Sequence, residues 1–252
     1  MVMAEATNHY FKHLGVSDGL SQVCIPSIYQ DELGAVWLGT TEGLNRYNGK
    51  DVKVFQPSES NHGLTNNEIN ELCGDKNGRM YIRSGNDLIK LDIYTEQFTC
   101  LRQKGVYGLF CKKDTLWVSC ADGIYYYTGQ GTELTFFARV QKGFVGRALY
   151  VDKETVWVVT RKYLVAISRE DPLRQEILLT LDKGNCILGD SSGNIWVGAW
   201  NGLYRISPNR ETTAYVSHSG MGELSDNQVR CVLEDDFKHI WVGTFKGIDC
   251  YD

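Results

Sequence analysis

The stretch Asp190–Ile206, DSSGNIWVGAWNGLYRI, is the clearest of six related copies in this chain of 252 residues. Each copy centres on an aromatic residue: Trp37, Tyr81, Trp117, Trp157, Trp196 and Trp241. The intervals between these centres are 44, 36, 40, 39 and 45 residues. A fixed aromatic recurring at a period near 40, flanked by short apolar runs, marks a repeat fold.

Working outward from the aromatic, the register holds. The position after it is aliphatic in every copy: Leu38, Ile82, Val118, Val158, Val197 and Val242. So is the position seven residues on: Leu44, Leu88, Ile124, Leu164, Leu203 and Ile248. Six residues on, four copies have glycine (Gly43, Gly123, Gly202, Gly247), while Asp87 and Tyr163 replace it in the others. Glycine there suits a tight turn into the next strand. Six residues before the aromatic stand Asp31, Asp75, Asp190 and Asp235, and three before it stand Gly34, Gly78 and Gly193. An aspartate that bonds its own backbone, followed by a glycine that supplies positive φ, is a turn between two strands. These aspartates are therefore expected to satisfy backbone N–H groups rather than act as acids or bases. Leu20, Leu64 and Leu224 share the offset seventeen residues before the aromatic, each followed by Ser or Thr.

Each copy thus holds short strands joined by polar turns, with a fourth strand in the tails DVKVFQ, EQFTCLR, ELTFFARV, QEILLTL and TTAYVSH. Four strands per repeat of this length describe a propeller blade. No helical periodicity of useful length interrupts them. The expected fold is all-β, a propeller of six four-stranded blades in one domain over residues 8–252, with residues 1–7 as a tail. The last copy ends without a fourth strand, and the spare strand is at the front, NHYFKHLG over residues 8–15. A ring closed by that strand accounts for the whole chain and leaves no open edge. Seven blades would allow only 36 residues each, the shortest interval present, and so do not fit. The rival arrangement is an arc cut from a larger ring.

Composition narrows the function. The net charge is −5 with both signs interspersed, which gives nucleic acid no basic footprint. No apolar run approaches the length needed to span a bilayer. The start, MVMAEATNHYFKHL, has no basic region followed by an apolar run, so no signal peptide is read there. The eight cysteines form no CxxC pair and fall mostly in strand-like runs, which suits small buried apolar residues, with one or two disulfides open to an oxidising compartment. The five histidines have no HxxxH or HxH spacing. Gly129-Gln130-Gly131 lacks the third glycine and the helix of a dinucleotide loop. No metal, cofactor or catalytic residue is expected.

The loops between second and third strands carry the candidate site, because they differ between copies whose framework is regular. They are Thr41-Glu42, Gly85-Asn86, Ala121-Asp122, Arg161-Lys162, Trp200-Asn201 and Phe245-Lys246. Trp200 beside Asn201, with Phe245 and Arg161 at matching offsets, suits stacking on sugar rings and hydrogen bonding to hydroxyls. The competing reading packs Trp200 and Phe245 against neighbouring blades. Arg83, where other copies have Gly39, Gly198 and Gly243, is a further candidate ligand contact or a bridge between blades through a carboxylate.

The units WLGTTEGLNRYNG, WVGAWNGLYRIS and WVGTFKGIDCYD, and the start FKHLGVSDGLSQ, resemble regulator-propeller repeats. Such repeats build the sensor region of hybrid two-component sensors in glycan-degrading gut bacteria. The resemblance implies a periplasmic location, a second propeller, a β-sandwich and a membrane helix leading to histidine kinase, receiver and DNA-binding modules. It implies an oligosaccharide ligand and a homodimer whose signalling state the ligand shifts. The sequence itself holds six repeats and no kinase motif, so the expected role is sensing or scaffolding rather than phosphotransfer. A lyase similar to the streptogramin-inactivating propellers and a protein-interaction propeller are the alternatives.

Overall fold

The computed structural model describes residues 13–57, 63–217 and 224–251. Blade 1 is β1 (Ser27–Gln30), β2 (Val36–Thr40), β3 (Gly43–Tyr47) and β4 (Val52–Phe55). Blade 2 is β5 (Ile69–Gly74), β6 (Arg79–Ser84), β7 (Asp87–Asp92) and β8 (Gln97–Arg102), and blade 3 is β9 (Val106–Lys112), β10 (Thr115–Cys120), β11 (Gly123–Tyr127) and β12 (Thr135–Ala138). Blade 4 is β13 (Gly146–Val151), β14 (Thr155–Thr160), β15 (Tyr163–Ser168) and β16 (Gln175–Thr180), and blade 5 is β17 (Cys186–Gly189), β18 (Ile195–Ala199), β19 (Gly202–Ile206) and β20 (Thr212–Tyr215). Blade 6 has β21 (Val229–Glu234), β22 (Ile240–Thr244) and β23 (Ile248–Tyr251). Every sheet is an antiparallel meander in chain order, four-stranded in blades 1 to 5 and three-stranded among the described residues of blade 6. The six-bladed, all-β propeller read from the repeats is the fold. The first strands pack in succession, β1 on β5, then β9, β13, β17 and β21.

The turn aspartate and the central tryptophan form one local unit. Asp190 Oδ1 accepts from the Ser192 and Asn194 amides, while its Oδ2 accepts from Trp196 Nε1 at 2.8 Å. Asp31, Asp152 and Asp235 hold Trp37, Trp157 and Trp241 the same way, at 2.7, 2.6 and 2.8 Å. One carboxylate thus closes the turn and satisfies an indole N–H that burial would otherwise strand. Blade 2 departs from this. Its aromatic, Tyr81, has no indole N–H, Asp75 pairs with Arg79, and the buried Tyr81 hydroxyl has no partner among the described residues.

Blades seal against each other through matched sizes. Two residues past the aromatic, β2 and its counterparts face the first strand of the next blade. A Cβ on Gly39 would lie 2.8 Å from Ile69 Cγ2, and one on Gly198 would lie 2.5 Å from Val229 Cγ1. The order reverses in the middle of the ring. Ser119 and Val159 face Gly146 and Gly184, whose added Cβ atoms would lie 2.6 and 2.7 Å from those side chains. Large meets small at each of these seams, so the backbones approach closely. The glycines six past the aromatic serve a different purpose. Gly43, Gly123 and Gly202 have φ of 124°, 154° and 131°, and a Cβ there would press on the fourth-strand carbonyls of Phe55, Ala138 and Tyr215.

Each of the first five central aromatics packs on the following blade. Trp37 joins Ile69, Met80 and Ile82 of blade 2, and Trp196 joins Val229, Ile240 and Val242 of blade 6. The first five aromatics are between 0% and 6% exposed, but Trp241 is 41% exposed. The seam beyond blade 6 therefore lacks the covering layer that every other blade has among the described residues. The strand expected to close the ring falls largely on residues 8–12, outside the described residues. Its last three residues, His13–Gly15, are not a strand and lead into a 3-10 turn at Val16–Asp18. No disulfide joins the cysteines among the described residues, and Cys24, Cys231 and Cys250 are exposed rather than buried.

Candidate functional site: the central channel

The first strands of all six blades line one cavity of about 480 Å³, inside the range of roughly 300–1,000 Å³ usual for small-molecule sites. The residues reaching it stand ten or eleven positions before each central aromatic: Pro26, Asn70, Tyr107, Arg147, Asn185 and Arg230. Four of them are aimed there by a β-bulge. The pairing of first and second strands skips Asn70, Tyr107, Arg147 and Arg230, each lying between two register partners. A bulged residue is released from the pleat and turned away from the sheet, here into the channel. The flanking residues Ile69, Val106, Gly146 and Val229 stay buried in the seams.

Polar bonds brace this ring from blade to blade. Ser27 Oγ accepts from the Leu72 amide at 2.9 Å, and Glu71 Oε1 accepts from the Leu109 amide at 3.1 Å. Asn185 Nδ2 donates to the carbonyls of Val229 at 3.3 Å and Arg230 at 2.8 Å, propping the bulge that carries Arg230. Arg83 Nε donates to Glu71 Oε2 at 3.3 Å and Arg83 Nη1 to the Gly85 carbonyl at 3.3 Å. Burial pushes the Glu71 carboxyl up to about 7 against the opposing pull of Arg83 and the Leu109 amide.

The candidates read from the loops divide. Arg83 enters the channel wall, and its ion pair with Glu71 lies within blade 2, with Glu71 making the link onward to blade 3. Trp200 and Phe245 come together around Arg230, whose guanidinium carbon lies 5.7 Å from the Trp200 ring centroid and 5.5 Å from that of Phe245. Lys183 Nζ sits 3.4 Å from the Trp200 centroid on top of this stack. Packing and function are thus not alternatives for these rings, since they pack on a cation that borders the cavity. Asn201 ties its turn to the loop after β16: its Oδ1 accepts from the Asp182 amide at 3.1 Å and its Nδ2 donates to Tyr204 Oη at 2.7 Å. Arg161 is exposed, does not line the channel, and engages its neighbours through its carbonyl, which accepts from the Gly184 amide.

Loop reading missed Tyr107, Arg147, Asn185 and Arg230. Their signal was available as a non-repeating position inside an otherwise apolar first strand, but its offset shifts by one where the turn shortens in blades 3 and 4. Of the histidines, His239 bonds Asp235 through Nδ1 at 3.0 Å in the blade 6 turn, away from the channel wall. Among the described residues, no three His, Cys, Asp or Glu side chains are grouped to hold a metal ion, and no helix is long and apolar enough to cross a membrane.

Comparison with known proteins places these features. Residues 223–246, which contain β21 and β22, match the family described as two component regulator propeller. A histidine kinase of Formosa agariphila is 40% identical over 53 residues, which are 21% of this chain and 4% of the kinase. The extracellular domain assigned to a hybrid two component system of B. thetaiotaomicron superposes with a TM-score of 0.73 at 21% identity, covering 95% of this chain and 41% of that domain. The chain therefore spans less than half the length of that relative. Virginiamycin B lyase from Staphylococcus aureus shares the fold more distantly, with a TM-score of 0.66 and 12% identity over 90% of this chain and 84% of the lyase. The chain is a six-bladed propeller in which residues 223–246 match the two component regulator propeller repeat, and its fold is similar to that of a hybrid two component system's extracellular domain.

Proposed function

We propose that this propeller is the extracytoplasmic, ligand-reading part of a two-component regulator, and that it takes an oligosaccharide at the mouth of its central channel. In this reading the chain performs no chemistry and biases a histidine kinase supplied elsewhere in the regulator. The observation that carries it is the contrast within each repeat. Turn and core positions recur from blade to blade, while the six side chains sent into one shared cavity are of four kinds, one Pro, two Asn, one Tyr and two Arg. A framework that repeats around a ring that does not is suited to recognition. Arg230 lines the cavity and packs on Trp200 and Phe245, so flat faces stand next to donors there, a combination suited to a sugar ring. The family match and the sensor-domain fold supply the regulatory context.

Thermal-shift screening against oligosaccharides tests the reading. A ligand at a hundredfold excess over its dissociation constant stabilises by about 2.7 kcal/mol, which raises Tm by roughly 5–10 °C at this chain length. The expected result is such a shift for one class of oligosaccharide, cut sharply by Trp200→Ala. A flat response to every saccharide would overturn it. A shift retained in full by both Trp200→Ala and Arg230→Ala would move the site off the channel mouth.

A further inference from the structure

We infer that the channel selects an acidic saccharide, with Arg147 and Arg230 holding its carboxylate or sulfate. This rests on the sensory reading above and names the ligand class that site takes. The charge of the channel runs against the charge of the molecule. The chain carries a net −5, yet the charged residues lining the cavity are Arg83, Arg147 and Arg230 against Glu71 alone. Glu71 is engaged by Arg83 and the Leu109 amide, so the two remaining guanidinium groups set the sign of the cavity. Arg147 has no ion-pair or hydrogen-bond partner among the described residues, and Arg230 makes only ring contacts, to Trp200 and Phe245. Both side chains are exposed to the channel from bulges on β13 and β21.

An arginine with its donors unspent is a fork shaped for a carboxylate or sulfate. Two of them around one low-dielectric opening also concentrate anions there against the overall negative field. Blade 5 lies between the blades that carry them; its Asn185 lines the cavity, and its Trp200 packs on Arg230 beside it, with Lys183 over the ring. Tyr107 supplies a further flat, hydroxyl-bearing face on the wall beside Arg147. The arrangement is a pair of anion forks flanked by aromatic faces, which matches a sugar ring bearing a charged substituent better than either a neutral sugar or a bare inorganic ion.

The test uses tri-galacturonate and its methyl ester, in which methylation removes the charge from the same sugar backbone, together with a sulfated galactan oligomer and its desulfated form. Binding is read by calorimetry and by the Arg Nε–H signals in nitrogen-correlated NMR spectra. The expected result is saturable binding of at least one acidic member, at least tenfold weaker for its neutral counterpart. The Nε–H signals of Arg147 and Arg230 should move, and Arg147→Ala and Arg230→Ala should each weaken binding at least tenfold. Raising the salt concentration should weaken the acidic ligand and leave a neutral one unchanged. Neutral saccharides that bind as well as acidic ones, or acidic binding untouched by both substitutions, would overturn the inference and leave the sensory reading standing. Binding by no saccharide, acidic or neutral, would remove both.

Discussion

Trp196 and Trp241 occupy the same place in blades 5 and 6, and the stretches that follow share one frame, Trp-Val-Gly and a glycine six past the aromatic, in WVGAWNGLYRI and WVGTFKGIDCY. Both indoles donate to the turn aspartate six residues earlier, at 2.8 Å in each case. Their fates differ. Trp196 is sealed by blade 6 and stacked on Tyr215 at 5.8 Å between centroids, while among the described residues no blade covers Trp241. The same holds seven residues on, where Leu203 is 2% exposed and Ile248 is 73% exposed. At the other end of the arc, Ile28 of blade 1 is 64% exposed, although its counterpart Leu72 in blade 2 is 7% exposed. A blade therefore specifies its own strands and its own clamp, but only its neighbour completes its core. This is the behaviour of a repeat protein, where stability is a sum of units and interfaces.

Removing the two indoles should separate those terms. Trp196→Ala is expected to cost about 3–5 kcal/mol, the usual range for emptying a sealed aromatic site. Trp241→Ala should cost less than half as much, since it gives up a clamp bond and partial burial only. Urea unfolding of the two variants measures the difference. Equal losses would show that the Trp241 face is covered in solution.

The seam glycines sharpen the same comparison at smaller scale. Gly198→Val drives a side chain into Val229 and should destabilise by roughly 1–3 kcal/mol, as overpacking does. At Gly243 an added Cβ meets the Sγ of Cys231 but no side chain of a following blade. Gly243→Val is expected to be the milder of the pair, and thermal melts of both would show it. A Gly243→Val penalty matching that of Gly198→Val would place an unseen neighbour against blade 6.

The smallest effect concerns pH. The Trp241 indole N–H, followed by bonds from His239 and the Phe237 amide, holds the Asp235 carboxyl down at about 2. A carboxyl depressed in the folded state stabilises fully above its unfolded value of about 3.9 and loses that contribution as pH falls toward its folded value. The clamp of blade 6 should thus open between roughly pH 4 and pH 2. The Trp241 Nε1–H resonance reports this, with exchange accelerating across that window. An indole signal unchanged down to pH 2 would show that the bond does not depend on the charge.

Much of this was legible in the chain. The six centres, the aspartate turns and the aliphatic positions one and seven past the aromatic gave the blades, because each depends on contacts within a few residues. Gly43 and Gly202 were read correctly as turn-permitting, although the close carbonyls of Phe55 and Tyr215 were not foreseen. The Asp–Trp pairing was half seen, with the backbone bonds expected and the indole bond not. The site was legible only in part. Trp200, Phe245 and Arg83 drew notice as odd residues in a regular frame. Tyr107, Arg147 and Arg230 did not, because they sit inside strands and a bulge cannot be told from an ordinary strand position by pattern alone. Asn201 drew notice for its neighbour and turned out to tie its turn to the loop that holds Asp182.

By itself the sequence determined the fold class, the number of blades present and the recurring core positions at the central aromatic and one and seven residues past it. Those follow from period-2 alternation and turn chemistry repeated every forty residues or so. Only the tertiary structure decided which of those positions are covered and which residues meet. Burial belongs to the adjacent repeat, so Trp241 and Trp196 cannot be told apart within their own blades. Convergence belongs to the curvature of the arc, which brings Pro26 and Arg230, some two hundred residues apart in sequence, to one cavity.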